Sequence, residues 1–329
     1  MAWKGLKQQS LADALQASNR FVEEFDEIHA LLDWSRIEAL FCDIHNRVKG
    51  EKAWPPLMMF KALLLQSWHN LSDPALEKAL ARDLLFRRFV GISLDQGVPD
   101  HSTIWRFRNV LEKNGLLAAA MTEINSQLAE QSLIIKQGEI SIIDASVIEA
   151  KNARPRKNAQ GNNTQDPEAA YNVKQGSDGK RKTTYGFKAH ANVDEDGFVK
   201  ALHVTPGNVH DSTQLDDLLT GREQEVYADS AYKSARHSTL LKQKKIKECI
   251  THRAYRNTPL NQEQIRQNHY FSSIRSRVEH VFGILKLHYG LRKARYLGVA
   301  RNQARVTLIS MAYNLRRALR IHRECYIGG

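Results

Sequence analysis

The sequence predicts a helical part over residues 1–135, followed by a mixed α/β part with basic C-terminal helices over residues 136–329. Three observations carry this. Up to about residue 131 the apolar residues recur at three- and four-residue steps, the period of amphipathic helices. From Gly138 the pattern becomes β-branched and nearly continuous, as in a strand buried on both faces. Charge divides at the same place: residues 1–135 hold 15 Lys/Arg against 17 Asp/Glu, and residues 136–329 hold 33 against 19.

In chain order, Leu11 to Trp34 and Ile37 to Ile44 have helical spacing. Pro55 and Pro56 precede LMMFKALLLQSW, a position that suits proline in a first turn. Asp73 can cap ALEKALARDLLFRRFVGI, and Asp100 or Ser102 can cap the helix closed by Gly115. A further helix runs from Leu116 to about Gln131. The segment holding Arg106 and Arg108 reads as a plain bundle or as a helix-turn-helix reader; its lack of net positive charge favours the bundle. EISIIDASVIEA is the first strand, and Lys151 to Gly179 reads as a long basic loop, ordered with a partner. TYGFKAHANVD and FVKALHVTPG flank Asp194–Glu195–Asp196–Gly197, a hairpin signal. A helix from Asp211 to Leu219, the short strand EVYAD, a Lys-rich helix from Ser234 to about Lys245 and a last strand over Glu248–Thr251 follow. Together they describe a layered α/β fold. Ser272 to His288 is an amphipathic helix.

At 329 residues the chain has room for two domains, and its ordinary apolar content supports a packed interior. No run approaches a membrane span or a signal core, so a soluble intracellular protein is expected. Cys42, Cys249 and Cys325 are scattered and odd in number, which argues against disulfides and a zinc knuckle. The net charge of +12, concentrated in the second part, is either a solubility bias or the footprint of a polyanion, with nucleic acid the leading class. Residues 151–190 carry nine basic and three acidic residues; residues 286–323 carry ten basic and none acidic.

On the last-named helix, at about 100° per residue, Glu279 falls near 40° and Lys286 near 20° from Arg275. The three share a stripe beside the apolar face. That stripe fits a salt-bridge ladder, or a metal-ligating carboxylate between two phosphate clamps. Asp144 stands inside SIIDAS and Asp229 ends EVYAD, where a carboxylate is costly unless paired or bound to a cation. If Asp144, Asp229 and Glu279 converge, each pair about 4 Å apart repels by roughly 4 kcal/mol at an effective dielectric near 20. Cations must then neutralise them, and oxygen ligands without Cys point to Mg²⁺ or Mn²⁺. Asp211 competes as an alternative acid but also suits a helix cap. His190, His203 and His280 lack metal-ligand spacing, Glu149 reads as a strand end, and Tyr227 and Tyr232 read as core or pocket wall.

These residues fall in blocks that resemble the DDE transposases of bacterial insertion sequences, most closely the IS-five type within the IS-four group. WPPLMMFKALLLQSWHNLSDPALEKALARDLLFRRFVGI and PDHSTIWRFR are similar to that family's N-terminal helical domain. IIDASVIEA, YGFKAHANVD, NVHDS and YADSAY resemble its central blocks. IRSRVEHVFGILK resembles the C-terminal block of Tyr, two residues, Arg, three residues, Glu, six residues, Lys. Arg275, Glu279 and Lys286 match it; Ser272 stands at the Tyr position, with Tyr270 and Phe271 just before, so an aromatic contact to the DNA end falls to Tyr270 or is absent.

The resemblance implies an RNase H-like catalytic domain over 136–329, with Asp144 and Asp229 on adjacent strands and Glu279 on a following helix. It implies a helical domain over 1–135 for DNA-end binding or dimerisation, and a basic C-terminal helical arm. Asp144, Asp229 and Glu279 would hold two Mg²⁺ ions, with Mn²⁺ as a substitute. Arg275, Lys286, Lys188, Arg277 and Tyr270 would contact DNA. The implied reaction is hydrolysis at the element's 3′ ends and transfer of each 3′-OH into target DNA, by a homodimer in the nucleoid-associated cytoplasm. Transesterification needs no nucleotide energy source, and no GxxxxGK[ST] loop is present. The implied alternative is an inactive, domesticated DNA-binding relative.

Overall fold

The computed structural model describes residues 20–44, 52–131, 140–152, 156–161, 164–175, 180–255 and 258–327. The expected helix start at Leu11, Gly138 and parts of the basic loop lie outside them, as does the Cys325 side chain. The chain forms two compact units: residues 1–133 with 307–329, and residues 134–306.

The first unit is helical: α1 (Arg20–Ala30), α2 (Trp34–Ala39), α3 (Pro56–Trp68), α4 (Asp73–Arg82), α5 (Leu84–Val90), α6 (His101–Lys113) and α7 (Leu116–Glu130). Breaks in the apolar period come from aspartates. Asp33 accepts from the Ser35 amide at 3.0 Å and separates α1 from α2, so Leu11–Trp34 is not one continuous helix. Asp83 accepts from Leu85 and Phe86 at 2.9 and 3.2 Å, splitting what reads as a single helix into α4 and α5. Ser72, rather than Asp73, caps α4, while Asp100 caps α6 as expected. Phe25, Trp34, Trp68, Phe86 and Phe89 form the aromatic core. Arg108 is 3% exposed and held by Gln66 and Asp73, which makes it a bundle strut rather than a base reader.

The expectation that the C-terminal helix is a basic arm of the second part is corrected by its burial. That helix runs Val299–Ile327, and its residues from Thr307 group with the first unit. Leu308, Ile309, Met311, Ala312, Leu315 and Ala318 are buried, the Ala312 carbonyl accepts from the Trp68 indole at 2.6 Å, and Asn314 donates to Asn125 at 2.9 Å. Arg316 and Arg323 pair with Glu24 and Glu27 at 3.4 and 2.7 Å, so part of the C-terminal charge is already answered inside this unit.

Lys61 on α3 is an isolated cost. It is 7% exposed, with its ammonium 2.9 Å from His29 Nε2 and 4.6 Å from the Trp34 ring centroid. Burial pulls its pKa down to about 8. The folded protein carries that penalty in full below pH 8 and sheds it between pH 8 and 10.5, where only the unfolded chain keeps the proton. Lys61→Met should therefore raise stability by about 1–3 kcal/mol at pH 7, a gain that fades toward pH 10.5; a chemical-denaturation series across that range checks it.

The second unit is built on a six-stranded mixed sheet: β1 (Ile140–Glu149), β2 (Ala170–Gln175), β3 (Arg181–Val193), β4 (Val199–Pro206), β5 (Glu225–Ala228) and β6 (Lys247–Ile250). β3 pairs antiparallel with β1, β2 and β4; β1, β5 and β6 run parallel. The β3–β4 hairpin turns at Gly197 with φ 83°, where the expected Asp-Gly signal stands. A 3-10 turn (Asp211–Gln214) leads into α8 (Leu215–Leu218), and α9 (Ala235–Gln243) precedes β6. The segment read as a loop from Lys151 to Gly179 contains β2, whose exposed Tyr171 and Val173 leave only a weak strand signal. Asp166 and Glu168, before β2, accept from the Gly298 and Val299 amides at 3.0 and 2.6 Å, so this stretch is anchored by the chain itself. Helix α10 spans Gln262–His288, beginning at a capping box of Asn261 and Gln264, and packs Val278, Val281, Phe282 and Leu285 toward the sheet. The C-terminal helix, from Val299, is α11.

Candidate active site

Asp144 sits mid-strand on β1, in register with Ala191 of β3. β5 ends at Ala228, opposite Ile143, so β1 loses its parallel neighbour at Asp144. Asp229 follows at once and caps the 3-10 turn Ser230–Tyr232 by accepting from the Ser230 amide. Asp229 therefore follows the carboxyl end of β5 beside mid-strand Asp144 of β1, near enough for its charge to act on the Asp144 carboxyl. There the sheet opens, the usual place for a site in α/β sheets.

The Asp144 side chain is 24% exposed. Burial pushes its carboxyl up to about 6; the Ala145 amide and the charges of Arg275 and Lys174 pull against this, and the charge of Asp229 adds to it. Arg275 reaches across from α10 with Nη2 4.0 Å from Asp144 Oδ1, while its Nε is buried with no hydrogen-bond partner among the described residues. Lys286, eleven residues further along α10, is half-buried. Its pKa is lowered by that burial and by Lys174, Arg292 and Lys182, and raised by Asp144. Among the described residues no ion pair joins Glu279 to either cation, so the ladder that the stripe also allowed does not form. Glu279 is exposed and lies between Arg275 and Lys286 along the helix.

The remaining sequence-predicted residues divide. Arg277 is exposed, and Tyr270 is 59% exposed with its ring 6.1 Å from that of Phe271. Phe271 in turn packs edge-on against Tyr227 at 5.7 Å. Lys188 is placed otherwise than a DNA contact needs. It shares its face with Val147 and Ala145, opposite that of Asp144, and is 7% exposed. Its ammonium is bound by the Val209 carbonyl at 2.7 Å and by Asp211 at 2.8 Å, so two of its donors are spent internally. Asp211 thereby has a structural cation as partner. His190 is fully buried beside this pair, and burial lowers its pKa to about 4, so it stays neutral.

Tyr232, read from sequence as wall, has a second property. It is 1% exposed, packs in the cluster with Ile143, Val226 and Leu241, and its hydroxyl has no hydrogen-bond partner among the described residues. Burial, then the charges of Asp144 and Asp211, hold the phenol protonated. A buried unmatched hydroxyl is a cost, so Tyr232→Phe should leave the melting temperature unchanged or higher; a loss of more than about 1 kcal/mol would mean the hydroxyl is satisfied.

The chemistry of the donors suits a hard divalent cation, since two carboxylates stand together and one is destabilised as an anion by burial and by its neighbour. Among the described residues, no three of His, Cys, Asp and Glu stand close enough to form a ready metal cage. Sequence reasoning also passed over Lys174, Lys182 and Arg292; no motif marks them, and only strand register and the return of the chain after α10 bring them near Lys286.

Two family models match the chain. One, described as a Transposase DDE domain, matches residues 135–315; the other, described as a Transposase domain, matches residues 9–110. No helix among the described residues is long and apolar enough to cross a membrane. The first match spans more than half the chain and contains the paired aspartates and the α10 stripe, and on that basis the chain belongs to the DDE transposase family, as a DNA-binding enzyme of the transposase type.

Proposed function

We propose that this transposase hydrolyses the 3′ ends of an insertion sequence of the IS-five type and joins each 3′-OH to target DNA, with Asp144, Asp229 and Glu279 as its acids. The observation that carries this reading is the meeting of Asp144 and Asp229 at one sheet opening, with Arg275 and Lys286 both acting on Asp144 from α10. Arg275 and Lys286 are about 16 Å apart along the axis at 1.5 Å per residue. Glu279 lies on the α10 stripe that also holds these two cations, which supports it as the third acid. The sheet order β4-β3-β1-β5-β6, three strands antiparallel and the last two parallel to β1, supports an RNase H-like layout.

Asp144 and Asp229 would hold Mg²⁺ or Mn²⁺, with Glu279 completing the set. When bound, the ions activate the attacking oxygen and stabilise the leaving one. Arg275 offers a planar fork to a phosphate and Lys286 a point charge. Tyr270 is the exposed aromatic at hand for a DNA end. Two ends cut and joined to one target call for at least a dimer.

The direct test is a duplex made from the DNA bordering the reading frame, incubated with the purified chain in Mg²⁺ and in Mn²⁺. Nicking at the 3′ ends of short terminal inverted repeats is expected. Tight end binding with no nick in either ion would establish the binding-only alternative instead.

A further inference from the structure

Lys174 on β2 and Lys182 on β3 stand directly opposite each other in the antiparallel register, and both are exposed. Directly opposed like charges weaken a strand pair, so the arrangement is a local cost to folding. A second pair of cations converges on the same place. The chain leaving α10 returns to the end of β1, where the Arg292 carbonyl accepts from the Glu149 amide at 3.1 Å and the Ala294 amide donates to the Glu149 carbonyl at 2.7 Å. This brings exposed Arg292 to the edge that carries Asp144. Lys286 is the fourth cation, within the field of the other three. Among the described residues none of the four pairs with a carboxylate in a salt bridge, while other surface cations of the same unit do: Lys233 with Glu248, Arg236 with Asp216, Lys247 with Glu225.

From this juxtaposition we infer that Lys174, Lys182 and Arg292, with Lys286, form a phosphodiester-binding track that carries the DNA strand to Asp144, the opposed lysines each taking a backbone phosphate. The inference rests on the chain binding DNA, as its family does, and assigns residues to that contact which no sequence motif marks. Four cations without a carboxylate partner among the described residues converge beside the Asp144 site, and a polyanion relieves their mutual repulsion.

The test uses the full-length chain and a duplex from the DNA bordering the reading frame, with affinity measured by fluorescence anisotropy between 50 and 300 mM KCl. Each phosphate contact contributes about 0.9 to the slope of log affinity against log salt. Lys174→Gln/Lys182→Gln should lower the wild-type slope by about 1.5–2, with a melting temperature equal to or above that of the wild type. Lys242→Gln/Lys244→Gln, which removes two exposed charges at the end of α9, should leave the slope unchanged. A charge-keeping Lys174→Arg/Lys182→Arg variant should retain the wild-type slope. A hairpin double variant with the wild-type slope overturns the proposal, as does an equal drop in the α9 variant. Loss of slope in the arginine variant also overturns it, since packing and not charge would then be at work. A wild-type chain that binds no DNA at any salt would instead remove the DNA-binding premise.

Discussion

Asp144→Asn and Asp229→Asn should each lower the rate of DNA nicking at least about 10³-fold, or about 4 kcal/mol in the barrier, while affinity for end DNA changes by no more than a few-fold. The physical reason is the division of labour in the site. Phosphate contacts supply affinity through Lys and Arg, whereas the carboxylates only repel DNA until they hold cations. On the proposed reading, removing one acid therefore takes away catalysis and none of the attraction. Glu279→Gln should behave the same way in nicking. It differs in stability, because Glu279 is exposed and without an ion pair among the described residues, so its amide variant should be neutral within about 0.5 kcal/mol. Nicking at more than a tenth of the wild-type rate by any one variant would remove that residue from the catalytic set.

The second large effect is a reversal of stability by metal. Without divalent cations, Asp144→Asn should be more stable than the wild type at pH 7–8 by about 1–3 kcal/mol. The Asp144 carboxyl titrates at about 6 in the folded chain and near its ordinary 3.8 when unfolded. Between those values the folded state binds the extra proton, so its stability falls as pH rises through 4 to 6 and stays low above. Asparagine never ionises, so the variant's advantage should vanish below pH 4. The attraction of Arg275 is already contained in the folded value of about 6, since it holds the carboxyl below where burial alone would put it. Added Mg²⁺ should then reverse the order. Binding to the folded state at a hundred times Kd stabilises by about 2.7 kcal/mol, and the variant forfeits most of it. Equal melting temperatures for the two proteins in EDTA at pH 8, or equal gains from Mg²⁺, would show that Asp144 carries no ionic cost and holds no cation.

Much of this organisation was legible in the sequence. The change from helical to β period near residue 138, the Asp-Gly hairpin and the apolar stripe of Ser272–His288 each map onto observed elements, because backbone periodicity and turn chemistry act over a few residues. The misses share a cause. The helix break at Asp83 hangs on a side chain choosing to cap amides rather than lie in a helix. Strand β2 is half exposed and shows no alternation strong enough to read. The C-terminal helix looked like a basic arm because its charge is visible in the sequence, while the partners Glu24 and Glu27 lie some three hundred residues earlier.

The sequence by itself determined the family, most of the order of elements and which acids deserved attention, since each rests on residue type and short-range spacing. Only the tertiary structure decided which charges face one another. It set Arg275 against Asp144 rather than Glu279, turned Lys188 to the opposite face and into the grip of Asp211, and lined up Lys174 with Lys182. Spacing along one helix can say that two charges share a stripe. Which of them finds a partner depends on strand register and on side chains brought from far along the chain, and no local pattern encodes those distances.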